Sequence, residues 1–134
     1  RHLTDTGALE VEKMAACLRP LEIIVEALWH SGKSRACRTA EILATAVASK
    51  QEAVRRDGLG PKDDVRPVAA AIAASKRDLF IVGHLPFLSR LASLLLCGEP
   101  GVNLIRFQNA GVLCLEATED SGWTVRWMIT PDLL

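Results

Sequence analysis

The sequence predicts an α/β fold, a three-layer α/β/α domain with a central, mostly parallel mixed sheet. Three observations carry this. Segments with helical spacing alternate with short apolar runs of strand length. One such run, "LFIV" at 79–82, stops at Gly83 and is followed directly by a Pro and a long apolar helix. The last quarter of the chain then changes to alternating strands joined by a turn.

Residues 3–19 place Leu9, Met14, Ala15 and Leu18 at helical spacing, with Thr4 or Asp5 as the cap and Pro20 as the stop. A short strand covers Glu26 to Trp29 and ends at His30. From Ser34, "SRACRTAEILATAVASKQEAV" reads as one long Ala-rich helix. Residues 57–64, "DGLGPKDD", form a loop, and "VRPVAAAIAAS" is the next helix. The strand Leu79–Val82 and the helix Pro86–Leu96 follow. "GVLCLEAT" and "WTVRWMIT" are the closing strands around the turn "EDSG". An opening helix is unusual for this pattern, which would sit more naturally with a strand before it.

At 134 residues the chain is one domain with enough length for a real core. It is 49% hydrophobic but only 4% aromatic, so Leu, Ile, Val and Ala must fill that core. Lys plus Arg balances Asp plus Glu at 16 each, leaving no basic field for nucleic acid or a membrane surface. Cys17, Cys37, Cys97 and Cys114 form no C-x-x-C pair, a pattern of reduced thiols that places the protein in the cytoplasm. The longest apolar run, near residues 91–97, is too short to span a bilayer.

Chemistry is concentrated at two strand-to-helix junctions. "HSGKSRA" resembles a phosphate-binding P-loop, but the required Gly five residues before Gly32 is Ala27, so that reading fails. The same segment suits a smaller anion site, with Ser31 beside it and Arg35 able to grip phosphate oxygens in a bidentate fork. His84 occupies the second junction, where a helix N-terminus favours an anion. On residue types alone, a solvated Arg35 and a hydrogen-bonded corner His84 remain open alternatives.

The sequence also resembles a family. "RHLTDTG" is similar to the R-P-L-T-x-x-G opening of the first helix in the histidine phosphatase superfamily, which has the phosphoglycerate-mutase-like fold. "HSGKSRACRTAEIL" resembles its S-x-x-x-R-A-x-Q-T-A-E segment, with Arg38 in place of Gln. "FIVGHLPFLSRL" resembles its second histidine motif, and "FQNAGVLCLE" and "WTVRWMITPDLL" its last strands. The resemblance covers nearly the whole chain and is closest to the compact SixA-type protein-histidine phosphatases.

The resemblance implies removal of phosphoryl groups from histidine in a protein substrate, through a phosphohistidine on the enzyme. It implies no metal or other cofactor. A histidine in an R-H-G motif attacks phosphorus, while a second histidine and arginines stabilise the transferring group. Carried over by motif, His84 is the second histidine and Arg35 the pocket arginine, and both are assigned as catalytic. Ser31, Asn109 and Ala110 are assigned to the pocket wall as substrate-binding residues. The family's R-H-G motif precedes the R-P-L-T segment, and here His2 stands where the family has Pro. The expectation is therefore a domain lacking its first strand and nucleophile, with His2 not the nucleophile. The larger members' inserted acidic residue also has no counterpart, since Asp57, Asp63 and Asp64 lie in a short polar loop. Imidazole leaves more readily than an alkoxide, which favours a phosphohistidine substrate over a sugar phosphate. A non-catalytic phosphoprotein-binding module and a small-molecule phosphomonoesterase are the alternatives.

Overall fold

The computed structural model describes residues 2–134; Arg1, the first residue of the R-P-L-T-like segment, lies outside the described residues. Helix α1 spans Asp5–Leu18, and its N-cap is Thr4, whose hydroxyl accepts the Gly7 N–H at 3.0 Å. Val11, Met14, Ala15 and Leu18 form its buried stripe. A short 3-10 turn, Arg19–Leu21, carries Pro20 beyond the helix end.

Strand β1 (Ile24–Val25) leads into β2 (Ala27–His30), and α2 follows at Ser34–Leu43. The expected long helix from Ser34 is corrected here. It stops at Leu43, and residues 44–56 hold a turn and two short strands, β3 (Ala48–Ser49) and β4 (Val54–Arg55). Alanine's helix propensity is outweighed by tertiary packing. Val47 is buried, the Thr45 hydroxyl donates to the Ile42 carbonyl at 2.7 Å, and the chain beyond pairs with β1 and β2. Helix α3 (Arg66–Ser75), strand β5 (Leu79–Val82) and helix α4 (Phe87–Cys97) follow as the sequence predicts, within a residue or so at each end. Strands β6 (Val112–Ala117) and β7 (Trp123–Ile129) close the chain as an antiparallel pair, with a bulge between Cys114 and Leu115.

Strand β2 organises the molecule. It runs parallel to β4 on one side and to β5 on the other, with Ala27 to His30 opposite Leu79 to Val82. Alternate residues point to opposite faces. Leu28 and Val82 join Met14, Leu18, Ala36, Ala40 and Leu43 in a core under α1 and α2. Ala27 and Trp29 face a second core with Leu59, Val65, Val68, Ile72, Phe87 and Leu91, under α3 and α4. Two cores on opposite faces of one parallel sheet make the three layers the sequence predicts. The strands hydrogen-bond in three groups, β1–β3, β4–β2–β5 and β6–β7, rather than as one ladder. Among the described residues, no helix is long and apolar enough to cross a membrane, and all four cysteines are free thiols.

Candidate active site at two neighbouring strand ends

Because β2 and β5 are parallel and in register, their C-terminal ends lie side by side, and each passes directly into a loop and helix. In open parallel sheets this edge is where ligands bind. His84 stands just beyond β5, and Ser31 just beyond β2.

The structure joins them directly. The Ser31 hydroxyl and His84 Nε2 are 2.7 Å apart, a hydrogen bond across 53 residues of sequence. The Ser31 oxygen also accepts the Lys33 N–H at 3.3 Å, so its own O–H is free to donate to the imidazole. His84 is only 8% exposed, and its carbonyl accepts the Leu88 N–H in the first turn of α4. Phe87, fully buried beneath that turn, fixes the start of the helix. The histidine is thus held from both ends, by its backbone and by its ring.

The neighbourhood is cationic. Burial holds the His84 pKa below its ordinary value, and the positive charges of Arg35 and then Lys33 push the same way. An imidazole in these surroundings is neutral at physiological pH. An incoming anion would offset the cations and favour its protonation. Arg35 is exposed, on the first turn of α2, and forms no ion pair among the described residues. Its guanidinium is available to an oxyanion, and the α2 N-terminus has no side-chain cap to compete for its free N–H groups.

Of the sequence-assigned residues, the structure brings Ser31 and His84 into contact and sets Arg35 within electrostatic reach. Asn109 and Ala110 lie in the turn before β6, Ala110 with a left-handed φ of 61° and packed on the α1–α2 core. No hydrogen bond joins either of them to Ser31, Arg35 or His84 among the described residues. Two further groups were not assigned to the site by sequence reasoning. Lys33 bears on His84, and its only sequence signal was the failed P-loop pattern. His2, set aside as a nucleophile, reaches the start of α2, where its Nδ1 lies 2.8 Å from the Ser34 hydroxyl. His30, the third histidine, is occupied structurally, its Nδ1 accepting the Gly32 N–H at 3.1 Å. Among the described residues, no three His, Cys, Asp or Glu side chains gather as metal ligands.

No family profile matches the chain. An uncharacterized protein of Picosynechococcus sp. is 31% identical over 121 residues, 87% of this chain and 72% of the relative. A solved structure of the protein histidine phosphatase SixA complexed with tungstate superposes with a TM-score of 0.87 at 25% identity, over 99% of this chain and 86% of that one. A protein of Agrobacterium tumefaciens, described as a candidate phosphohistidine phosphatase SixA, shares the fold with a TM-score of 0.74 at 19% identity, over 98% of this chain and 84% of that one. Two parallel strand ends that deliver a serine-bound histidine and a free arginine, on this backbone, place the chain in the SixA-like branch of the histidine phosphatase superfamily.

Proposed function

We propose that the protein is a phosphohistidine phosphatase acting on protein-borne phosphohistidine. The observation that carries the reading is the Ser31–His84 hydrogen bond at 2.7 Å, with the Arg35 and Lys33 charges bearing on the same imidazole. A buried neutral imidazole beside two cations suits a tetrahedral oxyanion, and the SixA structure that this chain resembles was solved with one, tungstate. The exposed position of Arg35 supports a phosphoryl group presented on another protein rather than a ligand enclosed within this one.

In the proposed reaction, a histidine nitrogen attacks phosphorus in line. The P–N bond to the substrate imidazole breaks, and that imidazole leaves as it takes up a proton. Water then cleaves the enzyme phosphohistidine to inorganic phosphate and restores the nucleophile. Arg35 grips two equatorial oxygens, and His84, protonated as the anion arrives, stabilises the charge that spreads over them. The family resemblance assigns the attacking histidine to a segment before the R-P-L-T-like stretch, not to His84. No step requires a metal.

The rival reading is a module that binds phosphate or a phosphoprotein without turnover. It is favoured by one observation: neither His2 nor His30 is hydrogen-bonded to His84. The test compares residues 1–134 with a longer chain extended before Arg1 by a segment carrying the family's R-H-G motif. Both are assayed for phosphate release from a phosphohistidine protein and from a small phosphomonoester, with and without EDTA. The proposal expects EDTA-resistant turnover of the phosphohistidine protein by the longer chain, lost on His84→Ala. Binding without turnover in both chains would establish the module. Turnover by residues 1–134, abolished by His2→Ala, would make His2 the nucleophile. Preference for the monoester would overturn the substrate class.

A further inference from the structure

A further cation that the reaction does not use, Arg55 of β4, lies against the β2–α2 loop. Gly32 has φ of +82°, and a Cβ built on it would lie 2.6 Å from Cδ and Nε of Arg55 and 2.8 Å from its Cγ. The Arg55 side chain therefore lies flat across the glycine that separates Ser31 from Lys33. Its position follows from the sheet. Arg55 is the last residue of β4 and sits opposite His30, so both strands end at the same level. Arg56 then turns to the other face and stacks on Trp29, with the guanidinium carbon 4.1 Å from the ring centroid.

Arg55 is exposed, and among the described residues it has no acidic partner. Asp57 and Glu52, the nearest acids in sequence, are exposed and form no ion pair with it. The left-handed φ of Gly32 accounts for the glycine itself, and the Arg55 stem occupies the space that its absent Cβ leaves open. Here the missing Cβ lets the guanidinium rest beside the loop that holds Ser31, Lys33 and, one residue further, the start of α2.

We propose that Arg55 and Lys33 form an acidic-group subsite on the rim of the Ser31–His84 site, which selects protein substrates with carboxylates flanking the phosphorylated residue. This rests on the phosphoryl-binding reading of that site and extends it to the surface of the partner. Arg55 is a specificity residue, not a participant in phosphoryl transfer. Its fork suits a carboxylate, and Lys33 adds charge without fixed geometry.

The experiment uses synthetic peptides carrying a non-hydrolysable phosphohistidine analogue flanked by either Glu or Gln residues. Their unphosphorylated forms and inorganic phosphate are titrated alongside. The quantity read is the ratio of affinities for the Glu- and Gln-flanked phosphopeptides, at low and at physiological salt. The wild-type chain should favour Glu flanks, and Arg55→Gln should cut that ratio roughly threefold to fivefold, as expected for an exposed charge pair. Arg55→Glu should invert the preference, and added salt should erase it. Thermal unfolding of both variants shows whether they remain folded. No preference in the wild type, or a preference unchanged in folded Arg55→Glu, overturns the subsite. Failure of inorganic phosphate to bind is a separate result, which removes the phosphoryl-site reading. The unphosphorylated Glu and Gln peptides then decide whether the rim stands without it.

Discussion

The β5–α4 junction and the β2–α2 junction begin alike, each at the end of a four-residue parallel strand, but they are built to opposite specifications. At β5–α4 the histidine and the first apolar anchor of the helix are enclosed, with only Pro86 between them exposed. His84 is buried, Phe87 has no exposed surface, and the loop carbonyl is tied into the helix by Leu88. At β2–α2 the residues Lys33, Ser34 and Arg35 are all exposed, and the helix start has no side-chain cap. Under the proposed function, one junction is a fixed post and the other an adjustable clamp. A buried, hydrogen-bonded imidazole loses little freedom when a ligand arrives, whereas an exposed arginine must be ordered by the ligand it grips.

The largest expected effect comes from breaking the post. His84→Ala removes a ring bonded to Ser31 and leaves that hydroxyl with only the Lys33 N–H. Phosphohydrolase turnover should fall by about 10²–10³-fold, the range for loss of a positioned charge-stabilising donor. Stability should also fall by about 1–3 kcal/mol, as for a half-satisfied buried polar site. Chemical denaturation and phosphate release on the same preparation measure both. Activity loss without any stability loss would mean that the imidazole is not a structural post.

Breaking the clamp should separate the two effects. Arg35→Lys keeps the charge but loses the bidentate fork, and activity should drop on the order of 100-fold. Stability should stay within about 0.5 kcal/mol, because the side chain is exposed. An Arg35→Lys enzyme with normal turnover would show that this arginine is not the phosphate clamp. One that unfolds as readily as His84→Ala would erase the distinction between the two junctions.

A smaller effect should follow at the glycine between Ser31 and Lys33. Gly32→Ala places a side chain at φ +82°, a left-handed conformation that costs L-residues about 1–2 kcal/mol. The clash with Arg55 itself adds little, because a flexible exposed stem can move aside. The expected outcome is a stability loss of that size in urea denaturation, with Arg55 displaced from the loop. A loss much larger would mean that the loop cannot shift and is as rigid as the β5–α4 corner.

The two junctions also differ in how far the sequence reveals them. Leu79–Val82 and α4 are legible because an apolar run meets Gly83 and Pro86, signals with a steric cause. Thr4 is legible as a cap for the same kind of local reason. The stretch after α2 is not. Ala44 to Ala48 contains no Gly or Pro, and strands of two residues leave no period to detect. Without β4, Arg55 had no reason to be placed beside Gly32. The Ser31–His84 bond was equally hidden, since only the register of β2 against β5 brings together residues 53 apart. Residue types and a family resemblance pointed to the two ends, and the register of the sheet brings Ser31 and His84 into contact.

The finest comparison between post and clamp is electrical, and His84 reports it. Burial is the larger cause of its lowered pKa, with Arg35 next and Lys33 after it. In the unfolded chain the imidazole titrates near its ordinary value, about 6.5. Between the folded and unfolded values the unfolded chain binds more protons, so stability rises with pH across that window. The contribution is complete above about 6.5 and fades as pH falls through the folded value. Arg35→Gln removes a cation, so the His84 titration followed by NMR should move upward yet stay below the ordinary value, because burial persists. Sulfate, which does not titrate in this range, should shift it the same way in the wild type, and its affinity should therefore grow as pH falls. An Arg35→Gln titration identical to the wild type would place the guanidinium out of reach of His84. A titration restored fully to the ordinary value would show that the clamp, not the enclosure of the post, sets the charge state of the site.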